Sequence, residues 1–316
     1  MDHPFISICI PTYKRPLLLK KLLDSIHFQR FRDFEVLIND NSPDRSVCEL
    51  VATYKDHLPL NYVKNEPAVS ATENCNRVMR RAAAPWIKVM HDDDWFANEG
   101  ALEAFAFAAQ HSGKDFIFCA GNLVDLYTGK SQKEELDPEK KRMLDDSVFS
   151  LCYLNLIGHP SAVMHKKDST IEYDAAYNWV QDIDYYIRYI RAHNGYHYLP
   201  ERLVNIGKSA GQESGRYYKN RAVEIPEYLS VLSKYDSGLL LRNQYVFHLV
   251  WNMLKRYRIN DAGQVRSLGY SGKLPDKLDD MIWYQKTIPR IILKQTPWSK
   301  WWMKRCFAKL NQGLNK

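Results

Sequence analysis

The sequence predicts an α/β fold with a mostly parallel central sheet, followed by a helical C-terminal extension. Over the first 120 residues, short apolar runs alternate with helical patterns, as strands and crossover helices do in a parallel sheet. Three of the predicted strands end in polar, turn-forming segments, and from residue 217 onward the segments look helical. We therefore expect a sheet domain over residues 1–215 and a helical extension over residues 216–316.

Each element of the first 120 residues follows from a local pattern. A strand is predicted over residues 5–10, which Pro11 ends, and Pro16 then opens a helix because proline fits the first helical position. Apolar side chains at 18, 19, 22, 23 and 26 lie on one face of that helix. The same alternation predicts strands over 34–39, 60–63, 86–90 and 116–119, with helices over 71–83 and 99–110.

The alternation weakens after residue 120. The polar stretch 128–142 predicts an excursion or a mobile loop, and a helix is predicted over 145–156. A short strand over 162–165 and a helix over 179–192 follow.

Composition excludes several classes of protein. Hydrophobic residues make up 45% of the 316 residues and aromatic residues 13%, which is enough for a sizeable core and argues against a disordered or collagen-like chain. The six cysteines show no metal-ligand spacing, so neither disulfides nor structural zinc is indicated. Because the sequence has no signal-peptide pattern and no long apolar run, we expect a cytoplasmic protein.

The positive charge is concentrated at the C-terminus. The formal net charge is +7, and from Met281 onward the chain carries eight Lys and Arg residues and no Asp or Glu. Residues 1–280 are therefore about neutral, which argues against a uniformly basic nucleic-acid binder, and we expect no nucleic-acid partner.

Three consecutive aspartates, Asp92, Asp93 and Asp94, follow the predicted strand 86–90. Adjacent like charges repel and raise one another's pKa, so a cation that offsets them is favourable. Mg²⁺ or Mn²⁺ takes hard oxygen ligands such as carboxylates, together with substrate phosphates. A solvated turn is the alternative, but two other polar strand ends share this sheet edge, which favours a metal site.

The other two strand ends carry groups that suit a nucleotide. Residues 11–15 supply a hydroxyl, an aromatic ring and a guanidinium, which can contact a ribose, a base and a phosphate. Asp40 could accept hydrogen bonds from a base N–H, or it could form an Asx-turn. The glycine-rich motifs of P-loop ATPases and dinucleotide-binding dehydrogenases do not occur. A nucleotide diphosphate held by side chains and a metal points to sugar-nucleotide chemistry.

Five segments resemble, in order and spacing, the motifs of family 2 glycosyltransferases, which have the GT-A fold. They are ISICIPTYKRP, VLINDNSPD, the region 74–77, MHDDDW and WVQDIDYYIRYIR. The resemblance covers about residues 5–215 and is to the type that builds bacterial surface polysaccharide. It implies a metal-dependent, inverting transfer of a hexosyl or N-acetylhexosaminyl group. The implied donor is a nucleotide-diphosphate sugar, and UDP is the implied nucleotide because many members of the family use it. The implied acceptor is a glycan or a lipid-linked saccharide.

The resemblance also implies roles for individual residues. Those that match donor-binding positions are Pro11, Thr12, Tyr13, Arg15, Asp40, Asn74, Asn76, Asp92 and Asp93. The triplet matches the metal-binding DxD motif, most simply through Asp92 and Asp94. His91 stands where many relatives have another Asp, so the register in which Asp93 is the ligand stays open.

The family's catalytic Glu-Asp pair corresponds to Gln181-Asp182, which makes Asp182 the implied general base and Asp184 its nearest competitor. The acceptor hydroxyl must lose its proton as it attacks the anomeric carbon, and one positioned carboxylate suffices for that. A charge that complements a helix dipole is the alternative role for Asp182. His159 lies in a segment that resembles the border of the acceptor site, or it is a structural histidine.

Aromatic and basic residues together characterise the tail, 281–316. Trp with Lys and Arg, and without acids, fits a segment lying on an anionic membrane surface. The apolar arc of its helical pattern contains Trp302, Met303, Cys306, Phe307 and Leu310. Packing of these aromatics on the protein itself, or a dimer contact, is the alternative. The membrane interpretation places the protein peripherally on the inner face of the plasma membrane.

Two other functions stay open. A sugar-nucleotide nucleotidyltransferase would normally carry a glycine-rich basic loop after the first strand, and residues 11–15 are not such a loop. A non-catalytic, membrane-associated adaptor that retains the fold predicts that Asp182→Asn and Asp92→Asn leave function unchanged.

Overall fold

The computed structural model describes residues 3–209 and 217–312. The chain divides into two compact units that interleave along the sequence. The first unit comprises Met1–Lys141, Ile157–Ala176 and Asp184–Gln212, and the second comprises Arg142–Leu156, Tyr177–Ile183 and Glu213–Lys316. The expected boundary at residue 215 lies outside the described residues.

A nine-stranded mixed sheet forms the centre of the first unit. Its strands are β1 (Ile6–Thr12), β2 (Phe34–Asp40), β3 (Leu60–Lys64), β4 (Trp86–Val89), β5 (Trp95–Phe96), β6 (Phe116–Asp125), β7 (Ser131–Glu134), β8 (Val163–Lys166) and β9 (His197–Lys208). Their order is β3-β2-β1-β4-β8-β6-β9-β5, with β7 paired to β6. The pairs β1-β2, β2-β3 and β1-β4 are parallel, while β8 pairs antiparallel with β4 and β6. The predicted α/β class is confirmed.

Helices cover the sheet of the first unit and bury its central strands. In chain order the helices up to residue 192 are α1 (Pro16–His27), α2 (Ser46–Ala52), α3 (Ala71–Arg80), α4 (Ala101–His111), α5 (Pro138–Asp146), α6 (Ser150–Tyr153) and α7 (Gln181–Ala192), with a 3₁₀ turn over Pro160–Ala162. Of these, α6, the part of α5 from Arg142 onward and the first three residues of α7 belong to the second unit. Ile6, Ile8 and Ile10 of β1 are fully buried, as expected for a parallel strand covered on both faces. Pro16 is the first residue of α1, as predicted.

Several segments differ from the sequence prediction. Strand β1 continues through Pro11 to Thr12 instead of ending at residue 10, and α2 and β5 were not predicted. The stretch 128–142 contains β7 and the start of α5, and the helix expected over 145–156 is divided between α5 and α6. Strand β9 was not predicted, because a charged segment with Pro200 interrupts the apolar pattern of its residues. The pairing of β6 with β9 shifts register at Ala120, and this irregularity accommodates the interruption.

The described part of the second unit is helical after residue 217, as predicted. The helices of this part are α8 (Arg221–Ser233), α9 (Leu239–Arg242), α10 (Gln244–Tyr257), α11 (Ala262–Ser267), α12 (Leu278–Lys286), α13 (Arg290–Lys294) and α14 (Thr296–Asn311). Asn243 caps α10 by accepting hydrogen bonds from the Tyr245 and Val246 N–H groups. Among the described residues, none of the helices combines the length and the apolar character needed to cross a membrane.

The apolar arc of the tail packs inside the second unit. Met303 and Cys306 of α14 are buried, and the Phe307 ring lies 4.9 Å from the ring of Phe247 in α10. The expectation that this arc faces a membrane is therefore wrong, and the alternative of packing on the protein holds for it. Other apolar side chains of the tail are exposed instead, namely Trp283, Ile291, Trp298 and Trp301.

Candidate active site

Three polar strand ends meet at one edge of the sheet. Strand β1 lies between β2 and β4, and all three run in the same direction, so their carboxyl ends lie side by side. Thr12 is paired with Asp40 in this register. The loop after β1, Asp40 and the aspartate triplet therefore lie at the same edge, as the sequence predicted.

Asp92 is held by the loop that follows β1. Its carboxylate accepts hydrogen bonds from Thr12 Oγ1 at 2.8 Å and from Tyr13 N at 3.1 Å. Arg15 Nη1 lies 3.4 Å from Asp92 Oδ1 and 2.9 Å from Asp93 Oδ2. Burial, followed by the charge of Asp93, raises the pKa of Asp92 to about 6. Asp92 therefore ties the loop of the first donor motif to the triplet.

His91, Asp93 and Asp94 are the residues that could share a metal ion. One ligand atom from each lies within 4.8 Å of the others. Asp94 Oδ1 accepts a hydrogen bond from Gly207 N at 2.9 Å, and the Ser161 hydroxyl also bonds to Asp94. The expected ligands were Asp92, Asp93 and Asp94. The structure groups His91 with the last two, because the carboxylate of Asp92 is engaged by the loop after β1.

This cluster concentrates negative charge in a buried environment. Burial and the charge of Asp93 raise the pKa of Asp94 well above its ordinary range, and burial lowers the pKa of His91. Fully buried Lys88 donates hydrogen bonds to main-chain oxygens of Val89 and Ser161, and burial lowers its pKa to about 8. One imidazole and two carboxylates fit Mn²⁺, and they fit Mg²⁺ less well because Mg²⁺ prefers oxygen ligands.

The nucleotide side of the edge presents Tyr13 and Asp40. The Tyr13 side chain is half exposed, so its ring is accessible for stacking. Asp40 is fully buried, and its two oxygens accept hydrogen bonds from Ser42 N at 2.7 Å and from Tyr62 Oη at 2.8 Å. The first of these bonds is the Asx-turn considered as an alternative, and a contact between Asp40 and a base stays a prediction.

Asn74 and Asn76 lie on α3 and are both buried. Asn74 Nδ2 donates to the main-chain oxygen of Asn39 at 3.2 Å, while its Oδ1 accepts from Asn65 Nδ2 at 2.7 Å. Asn76 forms two hydrogen bonds with the main chain of Tyr173, at 2.8 and 2.9 Å. Both amides therefore connect parts of the first unit, and their contact with a donor stays a prediction.

His159 lies beside the candidate metal cluster. Its Nε2 is 3.1 Å from Lys208 Nζ, and because an ammonium group can only donate, the histidine accepts. Burial, and then the charges of Lys208 and His91, lower the pKa of His159 to about 3. Glu134 is also close, since its carboxylate lies within 3.5 Å of the position of a Cβ added to Gly158. A neutral histidine and a lysine thus border the cluster where an acceptor is expected, and the Glu134 carboxylate lies near Gly158, the residue before His159.

Asp182 lies in the first turn of α7 and is half-buried, and burial raises its pKa to about 7. Its competitor Asp184 is fully buried and forms an ion pair with Arg188 at 2.8 Å. Within the described ranges Asp182 has no such ion pair. Of the two carboxylates, Asp182 therefore has the environment of a group that exchanges protons near neutral pH.

Sequence reasoning missed several residues that build this site. A Cβ on Gly207 would lie 2.2 Å from the main-chain oxygen of Asp93, so only glycine lets β9 pass this close to the triplet. Ser161 accepts a hydrogen bond from His91 N at 2.9 Å, and Lys208 bonds to His159. Lys88 could have been noticed in the sequence, because it is the one charged residue in the apolar strand WIKV. Gly207 and Lys208 belong to a segment in which the sequence assigned no role to any single residue, because β9 itself was not predicted.

A family model described as "Glycosyl transferase family 2" matches residues 7–173, which is more than half of the chain. The chain belongs to this family. The matched region contains the loop after β1, Asp40, the triplet and His159, whereas Asp182 lies beyond it.

Curated relatives of this family 2 glycosyltransferase are distant. A Campylobacter jejuni protein named GalNAc(5)-diNAcBac-PP-undecaprenol beta-1,3-glucosyltransferase is 28% identical over 148 residues, which cover 45% of this chain and 48% of that protein. The chain thus spans about half the length of this relative. An uncharacterized Mycobacterium tuberculosis protein is 23% identical over 235 residues, which cover 69% of this chain and 72% of that protein.

Solved structures share the fold at low sequence identity. The fragment 1-349 of S. aureus TarS, crystallised with UDP-GlcNAc, has a TM-score of 0.57 and 16% identity, and the match covers 98% of this chain and 92% of that fragment. The mannosyltransferase PcManGT of Pyrobaculum calidifontis, in complex with GDP-Man and Mn²⁺, has a TM-score of 0.55 and 15% identity, over 100% and 89% of the two chains. The GT-A fold implied by the sequence motifs is confirmed.

Proposed function

We propose that this family 2 glycosyltransferase transfers a hexosyl or N-acetylhexosaminyl group from a UDP-sugar, with inversion and with Mn²⁺ or Mg²⁺, to a hydroxyl of a glycan or lipid-linked saccharide. The observation that carries the proposal is the buried cluster of His91, Asp93 and Asp94 beside Arg15 and half-exposed Tyr13. A divalent ion, a diphosphate and a base need these three kinds of group at one sheet edge.

The donor loop supplies charge and orientation in this mechanism. Tyr13 would stack on the base, Thr12 and Asp92 would fix the loop, and Arg15 would donate to diphosphate oxygens. His91, Asp93 and Asp94 would hold the cation. When bound, such a cation offsets the negative charge that develops on the leaving diphosphate.

Asp182 would act as general base in the transfer. The acceptor hydroxyl attacks the anomeric carbon from the face opposite the diphosphate, so the configuration inverts and no covalent glycosyl-enzyme forms. As the new bond forms, the hydroxyl proton moves to Asp182, whose pKa of about 7 suits this task at neutral pH. His159, neutral and held by Lys208, would orient the acceptor.

The relatives support the nature of donor and acceptor only by analogy. TarS was crystallised with UDP-GlcNAc, PcManGT with GDP-Man and Mn²⁺, and the C. jejuni relative is named for a lipid-linked saccharide. We extend these properties to this chain, together with a peripheral position on the inner face of the plasma membrane through residues 281–316. The division into a catalytic domain, 1–215, and a helical extension, 216–316, is part of the same proposal.

The test is thermal stabilisation of the protein by UDP, GDP, CMP and dTDP, each with Mn²⁺ and with EDTA. One nucleotide should stabilise the fold in the presence of Mn²⁺ and not in EDTA, and Asp94→Asn should remove the effect. The matched control is Asp56→Asn, which removes the same charge at an exposed position. If no nucleotide stabilises the folded protein, or if Asp94→Asn is stabilised as much as the control variant, the assignment of the donor site is wrong.

A further inference from the structure

A polar cavity of about 100 Å³ lies within the second unit, between α10 and the first turns of α14. His248 and Lys255 of α10 line it together with Ser299 and Lys300 of α14, and Tyr153 of α6 closes one side. The His248 ring stacks on that of Tyr153, with 4.1 Å between the ring centroids and 20° between the planes. The cavity belongs to neither the donor site nor the predicted acceptor site.

Hydrogen-bond donors converge on this cavity. Lys255 Nζ donates to Ser299 Oγ at 3.1 Å, and Trp251 Nε1 donates to the same oxygen at 3.2 Å. Because the Ser299 oxygen accepts both bonds, this hydroxyl can still donate its own proton to a bound anion. Lys255 is half-buried, and burial lowers its pKa.

The charge around the cavity is positive and unbalanced. Lys255 and Lys300 line the cavity, and burial, followed by the charges of Lys300, Lys255 and Lys304, lowers the pKa of His248 to about 4. Within the part of the chain that the structure describes, no carboxylate pairs with these three lysines. Elsewhere in the unit lysines do have partners, such as Lys277 with Asp280 at 3.0 Å. An anion is the group that would balance this cavity.

The surface beside the cavity is aromatic. Trp298 and Trp301 of α14 have 56% and 48% of their surface exposed, and the Arg305 guanidinium lies 5.3 Å from the ring centroid of Trp301. Exposed tryptophans next to cations are typical of surfaces that enter the headgroup region of a membrane. The same helix thus carries both the cavity wall and the exposed aromatic residues.

We propose that this cavity binds the phosphate group of an anionic membrane lipid, through Lys255, Lys300 and Ser299, while Trp298 and Trp301 enter the headgroup region. A phosphate accepts several hydrogen bonds at once, as the converging donors require. The proposal deepens the membrane contact in the proposed function and rests on it. It is independent of the donor site.

The experiment measures binding of the full chain to vesicles of phosphatidylcholine, with and without phosphatidylglycerol. The cavity variant is Lys255→Gln with Lys300→Gln, and the matched control is Lys286→Gln with Lys294→Gln, which removes two exposed charges of the same tail. The cavity variant should lose about tenfold more affinity for the anionic vesicles than the control does. Inorganic phosphate, added at constant ionic strength, should compete with the vesicles for the native chain.

Two results would overturn the proposal. Equal losses in the two double variants would mean that general surface charge accounts for binding. Failure of the native chain to bind anionic vesicles would reject the membrane contact, and stabilisation by inorganic phosphate in that case would assign the cavity to a soluble phosphate. If Lys255→Gln prevents folding, the single variants Lys300→Gln and Lys294→Gln are compared instead for their loss of affinity for the anionic vesicles. Stabilisation by nucleotide and Mn²⁺ should persist in all variants, and its absence from the native chain counts against the donor site alone.

Discussion

At the scale of single residues, Asp182 and Asp184 show how environment separates two carboxylates that the sequence leaves as competitors. Asp184 is fully buried and neutralised by Arg188. Asp182 is half-buried without an ion pair among the described residues, and its pKa is raised to about 7. Burial therefore lets Asp182 change its protonation state near neutral pH.

We expect kcat/KM for sugar transfer to fall about tenfold per pH unit below about pH 7. The protonated form of Asp182, which dominates there, cannot accept the hydroxyl proton. The pH profile should be measured at saturating Mn²⁺, because Asp94 must also lose a proton to bind the ion. Asp182→Asn should abolish transfer and leave nucleotide binding intact, and near-native transfer by this variant would contradict its role as base.

Gly207→Ala should weaken Mn²⁺-dependent nucleotide binding about tenfold or more. The new Cβ would lie 2.2 Å from the Asp93 oxygen, so either β9 or the triplet must move, and overpacking of this kind costs about 1–3 kcal/mol. Calorimetric titration with the nucleotide measures the loss. Gly100→Ala is the control, because its Cβ first meets the movable end of the Arg30 side chain. Native affinity in Gly207→Ala would show that the close approach is not required.

At the scale of elements, the segment that leads into α7 is fixed by Glu227 of α8. The buried Glu227 carboxylate accepts hydrogen bonds from the main-chain N–H groups of Asn178 at 2.9 Å, Trp179 at 2.8 Å and Val180 at 3.2 Å. A carboxylate suits this place because both of its oxygens accept. Glu227 therefore sets the direction in which α7 begins, one residue before the Gln181-Asp182 pair.

Glu227→Gln should lower the free energy of unfolding by about 1–3 kcal/mol. The amide group turns one acceptor into a donor, which then faces a main-chain N–H group that loses its partner. Urea unfolding measures the change, with Glu201→Gln at an exposed position of β9 as the control. We also expect a lower kcat with little change in nucleotide affinity. Equal stability of both variants would reject this positioning role.

At the scale of the whole molecule, α14 has two faces with different roles. Met303 and Cys306 are buried against the second unit, while Trp298 and Trp301 are exposed. The buried face contributes to stability through the apolar area it removes from water. The exposed face contributes nothing of this kind, which is why a partner surface is the natural explanation for its aromatic residues.

Trp298→Ala with Trp301→Ala should weaken vesicle binding and leave the free energy of unfolding within about 0.5 kcal/mol of the native value. Met303→Ala should show the opposite pattern and cost about 2–5 kcal/mol of stability, because it leaves a cavity in the core. Vesicle sedimentation and urea unfolding of the two variants provide the comparison. Unchanged vesicle binding without the two tryptophans would reject the membrane role of this face.

The sequence by itself determined the α/β class, the GT-A fold of the sheet domain and the edge at which the site lies. These features follow from period and order along the chain, since alternating strands and helices place all carboxyl ends of parallel strands together. Thr12, Arg15, Asp93 and Asp94 were found this way because each lies at, or within a few residues of, the carboxyl end of a strand that local pattern identifies. The amphipathic arc of α14 was also correctly recognised as apolar.

Only the tertiary structure decided which partners these groups have. Asp92 is directed to Thr12, and His91 replaces it beside Asp93 and Asp94. Gly207 reaches the triplet from β9, 113 residues after Asp94, and the arc of α14 turns to α10. The physical reason is common to these cases. Periodicity records that a face is apolar or that a strand ends in a charge, whereas the identity of the neighbour depends on long-range packing, which leaves no local signature.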